Sequence, residues 1–147
     1  MWRPGGRSPR LCHLSRCNRD RTMANLDASG VRTFVGTRNF EDSRDFYVAL
    51  GCTLNWERDG LAELELGGCP FFLQRYYNRQ WCENSMLHVT VEDATAWYEH
   101  AKRVIDQGSF GGPPRVNPPK EEDYGALVTY IWDPAGVLLH MAQPLGR

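Results

Sequence analysis

The sequence has no long apolar segment and almost no net charge, and both absences restrict what the protein can be. No apolar run approaches the roughly 18 residues that a membrane helix needs, so we expect no membrane partner. The formal net charge of −1 is unevenly distributed. Residues 1–22 hold six Arg and one Asp, whereas residues 23–147 hold 11 basic and 17 acidic side chains. An acidic domain is a poor partner for nucleic acid and a better one for a cationic ligand.

The cysteines are not arranged for disulfides or for zinc. The five cysteines are odd in number and form no C-x-x-C pair. Cys12, His13 and Cys17 also lack the spacing of a zinc site. Reduced thiols in a cytoplasmic protein are the simpler interpretation, so we expect a cytoplasmic location.

The first 29 residues have no hydrophobic periodicity and are predicted to form a disordered basic leader. They lack the apolar region of a secretory signal, although their Arg-rich and Ser-rich composition is also typical of organellar transit peptides. We favour a dispensable leader in front of one domain at residues 30–147, with Met23 as a candidate start of translation.

The clearest pattern lies near the C-terminus, in the segment TYIWDPAGVLLHMAQ at residues 129–143. Pro134 presets the backbone of a turn and Gly136 tolerates its fourth position, which predicts a hairpin between two strands. After the turn, apolar residues alternate between two faces of a strand. His140 is the titratable group on the less apolar face, so this strand is a natural place to look for a site.

The remainder of the chain predicts the same order of elements twice, about 55 residues apart. Asn39 is a suitable N-cap for the first helix and Gly51 a suitable end, and Asp93 is a suitable N-cap for the second. Gly-rich turns separate three strands in the first half. The Gly/Pro-rich segment 108–119 holds at most a short strand near Arg115.

These signals predict two βαβββ modules at about residues 31–77 and 85–144. The predicted strands are 31–36, 53–58, 61–66, 70–76 and 86–91, followed by the hairpin 126–143, and the predicted helices are 40–50 and 94–107.

Three segments make the chain resemble the vicinal oxygen chelate superfamily, which includes glyoxalase I, extradiol dioxygenases and bleomycin-resistance proteins. They are NFEDSRDFYVALG at 39–51, VEDATAWYEHA at 91–101 and WDPAGVLLHMAQP at 132–144. The resemblance covers Val31 to Pro144. It implies an α+β fold in which two paired βαβββ modules form a cupped mixed sheet around a cavity, commonly completed in a dimer.

Enzymes of this superfamily usually hold a divalent metal with His and Glu side chains from four strands. Matched through the three segments, the four positions fall on Arg32, Gln74, Met86 and His140. Arginine repels a cation, methionine is a soft ligand and glutamine binds weakly through its carbonyl. A shift of two residues would replace Met86 by His88, which leaves His88 and His140 as weak candidates. We therefore expect no metal and no other cofactor.

Among metal-free members the nearest resemblance is to bleomycin-resistance proteins, which sequester a cationic glycopeptide drug without chemistry. Their pattern of DPAG, three residues and His is met by residues 133–140, and Tyr124 stands where they carry an aromatic residue before the last hairpin. Such a cleft needs aromatic rings for planar groups and acids for cations. The candidate ligand-binding residues are Arg32, Phe34, Trp56, Glu63, Glu65, Phe72, Gln74, Tyr76, Met86, His88, Tyr124 and His140.

Each candidate also has an ordinary structural explanation. Trp56 and Phe72 could equally well be core residues, and Glu63 and Glu65 could lie on a solvated strand face. Arg32 departs from the expected pattern, because it puts positive charge where a cationic drug would be received. It could pair with a cavity glutamate, or it could recruit an anionic or carbonyl-bearing ligand.

The histidines have ordinary explanations too. His88 and His140 could be hydrogen-bonded strand residues, and His100 is predicted to be a plain surface residue of the second helix. The hypothesis of a site depends on the whole set of candidates and not on one of them.

We therefore predict a small-molecule binding protein, with no catalytic residue, that holds a cationic aromatic or glycopeptide-type ligand in the groove of a homodimer. The alternative is a lyase, isomerase or dioxygenase of the superfamily with an atypical or absent metal site. Such an enzyme would either depend on a metal or use His140 and His88 as acid and base. The residues at the four metal-ligand positions favour binding over catalysis.

Overall fold

The computed structural model of the chain describes residues 24–112 and 114–146. The chain divides into two units, Met1–Val31 and Arg32–Arg147, and every described helix and strand lies in the second. The predicted leader comprises residues 1–29, of which 1–23, with the candidate start at Met23, lie outside the described part. Residues 24–29 are exposed and form no helix or strand. Within that part, each helix is too short or too polar to traverse a lipid bilayer.

Helices and strands alternate in the order that the repeat predicted, with one additional short helix between the halves. They are β1 (Phe34–Gly36), α1 (Phe40–Leu50), β2 (Thr53–Arg58), β3 (Leu61–Leu66), β4 (Cys69–Gln74), α2 (Arg79–Asn84), β5 (Met86–Thr90), α3 (Ala94–Gln107), β6 (Arg115–Glu122), β7 (Ala126–Trp132) and β8 (Leu138–Pro144).

The strands form two four-stranded mixed sheets. The first has the order β1-β4-β3-β2 and the second the order β5-β8-β7-β6. In each sheet the first strand runs parallel to the last strand of its module, and the other neighbours are antiparallel. Each sheet and the helix after its first strand make one βαβββ module. The predicted α+β class and the two modules are confirmed.

The predicted helix ends are confirmed by their hydrogen bonds. The side chain of Asn39 accepts from the backbone N–H of Asp42, and that of Asp93 accepts from the N–H of Ala96. Gly51 ends α1 in the left-handed region at φ 118°, where a side chain would be strained. Local sequence therefore determines where both long helices begin and where α1 ends.

One hydrophobic core joins the two modules. Both long helices contribute to it, and so does one face of each sheet. Phe46 and Tyr47 of α1, Leu73 of the first sheet and Ile131 of the second are all completely or almost completely buried. The opposite face of the second sheet carries a smaller buried cluster of Ala126, Val128 and Ala142, packed against Tyr130. The opposite face of the first sheet is largely open.

The turn between β7 and β8 is held by a buried carboxylate. Asp133 is 1% exposed. One of its oxygens accepts from the backbone N–H groups of Ala135 and Val137, at 2.8 and 2.9 Å. The other accepts from the hydroxyl of Tyr47 at 2.7 Å. Burial raises the pKa of Asp133 to about 6, against the opposing effect of these hydrogen bonds.

The first strand and the segment before β5 differ from the prediction. β1 pairs with β4 only at Phe34–Gly36. Val31, predicted to begin this strand, lies before it and is 92% exposed. Helix α2 was not predicted, because six residues are too few to show a helical period. Its N-cap is Asn78, whose side chain accepts from the N–H of Trp81.

β6 is longer than predicted and includes two prolines. Its pairing with β7 shifts register between Asn117 and Lys120. Pro118 and Pro119 occupy this irregularity, where their missing N–H groups interrupt no regular ladder. Prolines in a segment normally argue against a strand, which is why the prediction stopped near Arg115.

His100 is not the plain surface residue that was predicted. It is half-buried, and its Nε2 lies 3.0 Å from the carbonyl oxygen of Leu50. Its ring also meets that of Trp97 edge to face at 5.8 Å. His100 therefore connects α3 to the C-terminal end of α1, a contact between residues 50 apart in sequence.

Because the pKa of Asp133 is raised, the stability of the folded protein should depend on pH in a way that can be measured. Between its unfolded pKa near 3.8 and its folded pKa near 6, the folded state binds the extra proton. Its contribution to stability is therefore fully present below pH 3.8 and is lost as the pH rises through 6. The loss amounts to about 3 kcal/mol. Asp133→Asn keeps the hydrogen bonds, since its amide can donate to Tyr47. Between pH 4 and pH 7, the free energy of unfolding of the variant, measured in urea, should rise by this amount relative to that of the wild type.

Asp123→Asn, at an exposed turn acid, is the matched control and should show no such trend. A stability difference between wild type and Asp133→Asn that does not change with pH would contradict the assignment.

Candidate functional site

The face of the first sheet that points away from the core carries a row of residues across all four strands. Phe34 of β1 is opposite Phe72 of β4, Phe72 is opposite Glu63 of β3, and Glu63 is opposite Trp56 of β2. We call this surface the aromatic face. Side chains opposite one another on one face of a sheet are close enough to interact, so the row is one continuous surface.

The three rings of the aromatic face are not core residues. Phe34 is 55% exposed and Trp56 is 41% exposed, and Phe72 is half-buried between them. The ring centroids of Phe34 and Phe72 are 5.1 Å apart, and those of Trp56 and Phe72 are 5.8 Å apart. Both pairs are tilted, an arrangement in which each ring keeps part of its surface free.

Arg32 and Glu63 form an ion pair within the aromatic face. The Nε of Arg32 donates to one oxygen of Glu63 at 2.6 Å, and the amide of Asn55 donates to the other at 3.0 Å. The Asn55 amide and then the Arg32 guanidinium lower the pKa of Glu63. The guanidinium carbon of Arg32 also lies 6.0 Å from the ring centroid of Phe72. Of the two roles considered for Arg32, the structure favours pairing with a cavity glutamate.

A cavity of about 540 Å³ adjoins the aromatic face. Phe34 and Gln74 contribute to its wall, together with Tyr76, which lies just beyond the end of β4. Tyr76 faces Trp81 of α2 with their ring centroids 5.7 Å apart, and both rings are largely exposed. The residues that line this cavity are Phe34, Gly36, Gln74, Tyr76, Asn78, Gln80, Trp81, Cys82, Asn84 and Ser85.

Trp81 was among the aromatic residues that the sequence offered for a stacking cleft. Asn55 and the polar residues of α2 that line the cavity, such as Gln80 and Asn84, were not predicted, because α2 is too short to show a helical period. Asn55 contacts Glu63 through strand pairing, which cannot be deduced from spacing alone.

The second sheet carries a different row on its corresponding face. His88 is opposite His140, His140 is opposite Tyr130, and Tyr130 is opposite Asn117. We call this surface the histidine face. The rings of His140 and Tyr130 meet edge to face at 4.9 Å, and the Tyr130 hydroxyl donates to Glu122 at 2.6 Å.

His140 is the least satisfied polar residue of this face. Its Nε2 is buried and has no hydrogen-bond partner within the described residues. Burial lowers the pKa of His140, and the nearby charge of His88 lowers it further against the opposing influence of Glu122. The imidazole is therefore held neutral near pH 7, with its unpartnered Nε2 shielded from solvent.

The remaining candidates are distributed over both sheets. Met86 is 63% exposed on β5, and Tyr124 is 65% exposed in the turn between β6 and β7. Glu65 is half-buried two residues beyond Glu63 on the same strand face. The hydrogen bonds and ring contacts of Arg32, Phe34, Trp56, Glu63 and Phe72 thus gather one set on the first sheet, apart from the set around His140.

The four positions implied for a metal do not fit one. Arg32 is engaged by Glu63, and Met86 offers a soft thioether. Gln74 could bind only weakly through its carbonyl, and the Nε2 of His140 is buried. In residues 24–112 and 114–146, no group of three or more His, Cys, Asp or Glu side chains is placed to hold a metal ion.

The depressed pKa of His140 can be measured directly. Nuclear magnetic resonance titration should show its imidazole protonating below the usual value of 6.5. A depressed pKa also means that stability from this group is lost as the pH falls through it. His88→Gln removes one of the two causes, so it should move the titration of His140 upward, though not to 6.5. A midpoint at or above 6.5 in the wild-type protein would contradict the burial of this ring.

Comparison with known proteins supports the same architecture. No protein family model and no curated protein sequence matches the chain. Solved structures do. The bleomycin-binding protein from bleomycin-producing Streptomyces verticillus, complexed with copper(II)-bleomycin, is similar at a TM-score of 0.65 and 21% identity, over 84% of this chain and 100% of that one.

Two further solved structures are similar to this chain. TnmS3, an antibiotic-binding protein from Streptomyces sp. CB03234, has a TM-score of 0.64 and 19% identity, over 82% of this chain and 99% of that one. A glyoxalase/bleomycin resistance/dioxygenase protein from Nocardioides has a TM-score of 0.60 and 18% identity, over 89% of this chain and 93% of that one. The chain therefore has the paired βαβββ fold of these solved structures, which is the fold that its three sequence segments predicted.

Proposed function

We propose that the aromatic face and the adjoining 540 Å³ cavity bind a small molecule with a planar aromatic part and a cationic part, and hold it without chemical change. The observation that carries this proposal is the row of exposed rings at Phe34, Phe72 and Trp56. Two of the structurally similar proteins are described as binding bleomycin or another antibiotic, which supports a bleomycin-type ligand.

Exposed aromatic surface is the main source of affinity in this proposal. Phe34, Trp56, Tyr76 and Trp81 are each more than 40% exposed, and a ligand that covers them removes apolar surface from water. A stacked aromatic pair contributes about 0.5–1.5 kcal/mol beyond the area that it buries. Several such contacts together with the buried area reach the roughly 8 kcal/mol that micromolar affinity requires.

The charges of the aromatic face select which cations it can receive. Glu63 is already neutralised by Arg32, so its attraction for a ligand amine is reduced. Within the described residues Glu65 has no ion pair and no hydrogen bond from its side chain, and it lies on the same strand face. We therefore assign the ligand's cationic group to Glu65 and its planar group to the rings.

A second copy of the chain is proposed to complete the groove. All six residues of β2, at the free edge of the first sheet, are exposed, including Leu54 and Trp56. Exposed apolar residues on an edge strand commonly mark an interface. A homodimer that covers part of the aromatic face would convert an open surface into a groove.

An enzymatic alternative has one supporting observation. The unpartnered Nε2 of His140, in register with His88, could accept or donate a proton to a bound substrate. This alternative predicts turnover of a carbonyl or dioxygen substrate that is lost in His140→Gln, whereas the binding proposal predicts none.

Removal of one ring should weaken binding of a bleomycin-type antibiotic. Trp56→Ala should raise its dissociation constant about five- to tenfold, because one stacking contact and its buried area are lost. Glu65→Gln should weaken binding at low salt and should also reduce the salt dependence, since an ion pair at an exposed site is screened. Isothermal titration calorimetry at two salt concentrations measures both effects.

Tyr98→Ala and Glu99→Gln on α3, away from the aromatic face, are matched controls and should bind like wild type. Absence of binding heat in the wild-type protein, or equal losses in the α3 controls, would count against the proposal.

A further inference from the structure

A second cavity, of about 360 Å³, lies beside the turn between β7 and β8. It is separate from the aromatic face, and none of the predicted ligand-binding residues lines it. We call it the arginine cavity. Its lining residues are Arg38, Glu83, Arg115, Trp132, Asp133, Pro134, Ala135 and Gly136.

Arg115 is fixed by its stacking on Trp132. The two residues are directly opposite in the pairing of β6 with β7, and the guanidinium carbon lies 3.9 Å from the centroid of the indole ring. A guanidinium that covers an aromatic ring keeps its N–H groups in its own plane, pointing away from the ring. Arg115 therefore presents donors at the rim of the cavity without needing a carboxylate to hold it.

Arg38 is held in a similar way from the first module. One of its terminal nitrogens donates to the hydroxyl of Tyr77 at 2.9 Å, and its guanidinium carbon lies 5.1 Å from the Tyr77 ring centroid. This contact uses one of the five N–H groups of the side chain. The others are available to the cavity.

The two acids of the cavity already have their own donors. Glu83 is paired with Arg79 at 2.9 Å, and Asp133 is buried with hydrogen bonds from Tyr47 and from two backbone N–H groups. Within residues 24–112 and 114–146, neither Arg38 nor Arg115 has a carboxylate within ion-pair distance. Glu83 and Asp133 balance the two arginines in formal charge, and Glu83 attracts Arg38 through a longer-range electrostatic interaction. What the cavity offers a ligand is guanidinium N–H donors that no carboxylate of the described residues occupies.

We propose that the arginine cavity binds an oxyanion, the carboxylate or phosphate group of a small ligand, between Arg38 and Arg115. The planar fork of a guanidinium matches both groups with two parallel hydrogen bonds. A volume of about 360 Å³ lies in the range of pockets that hold small molecules. This site is independent of the ligand proposed for the aromatic face.

The test is a titration of the full-length protein with inorganic phosphate and, separately, with benzoate at low ionic strength. Calorimetry measures affinity, and the indole N–H signal of Trp132 reports occupancy in NMR spectra. At least one anion should bind and shift that signal, and the stronger of the two identifies the group. Arg38→Gln and Arg115→Gln should each weaken binding about tenfold or more, since a charge-assisted hydrogen-bonded contact is lost.

Arg103→Gln, an exposed arginine of α3, is the matched control and should leave anion binding unchanged. Arg115→Lys should retain part of the affinity through its charge. If neither anion binds, or if Arg103→Gln weakens binding as much as Arg38→Gln and Arg115→Gln, the inference is overturned. Trp56→Ala should not alter anion binding, which separates this result from that for the aromatic face.

Discussion

The buried hydrogen bond from the Tyr47 hydroxyl to the Asp133 carboxylate connects the two modules at the centre of the core. It joins residues 86 apart in sequence, one on α1 and the other in the turn before β8. The same carboxylate also holds that turn through two backbone N–H groups. Because α1 is anchored to the second module in this way, one face of each sheet is buried in the shared core.

The faces that the two sheets turn away from this core have the same strand order and different chemistry. The aromatic face crosses its sheet with Phe34, Phe72, Glu63 and Trp56, whereas the histidine face carries two imidazoles beside Tyr130. The first offers surface for planar groups around a neutralised ion pair, and the second offers groups that can exchange protons. A repeated module thus supplies two distinct surfaces, and the exposed rings make the first the stronger candidate for ligand binding.

Features determined by local chemistry could be predicted from the sequence, and features that depend on strand pairing could not. The caps at Asn39 and Asp93 and the turn at residues 133–136 follow from nearby residues, so they were predicted where they occur. The Arg32–Glu63 ion pair spans 31 positions and was only one of two alternatives. The prolines of β6 argued against a strand because the register shift that accommodates them has no sequence signal.

The most direct test of the account is the NMR response of the tryptophan indole N–H groups to a metal-free bleomycin-type antibiotic. Trp56 lies on the aromatic face and Trp81 lines the adjoining cavity, whereas Trp97 is on α3. Binding at the proposed site should shift the Trp56 and Trp81 signals in a saturable way and leave Trp97 unchanged. Saturable binding that leaves Trp56 and Trp81 unmoved, or no binding at all, would contradict the account.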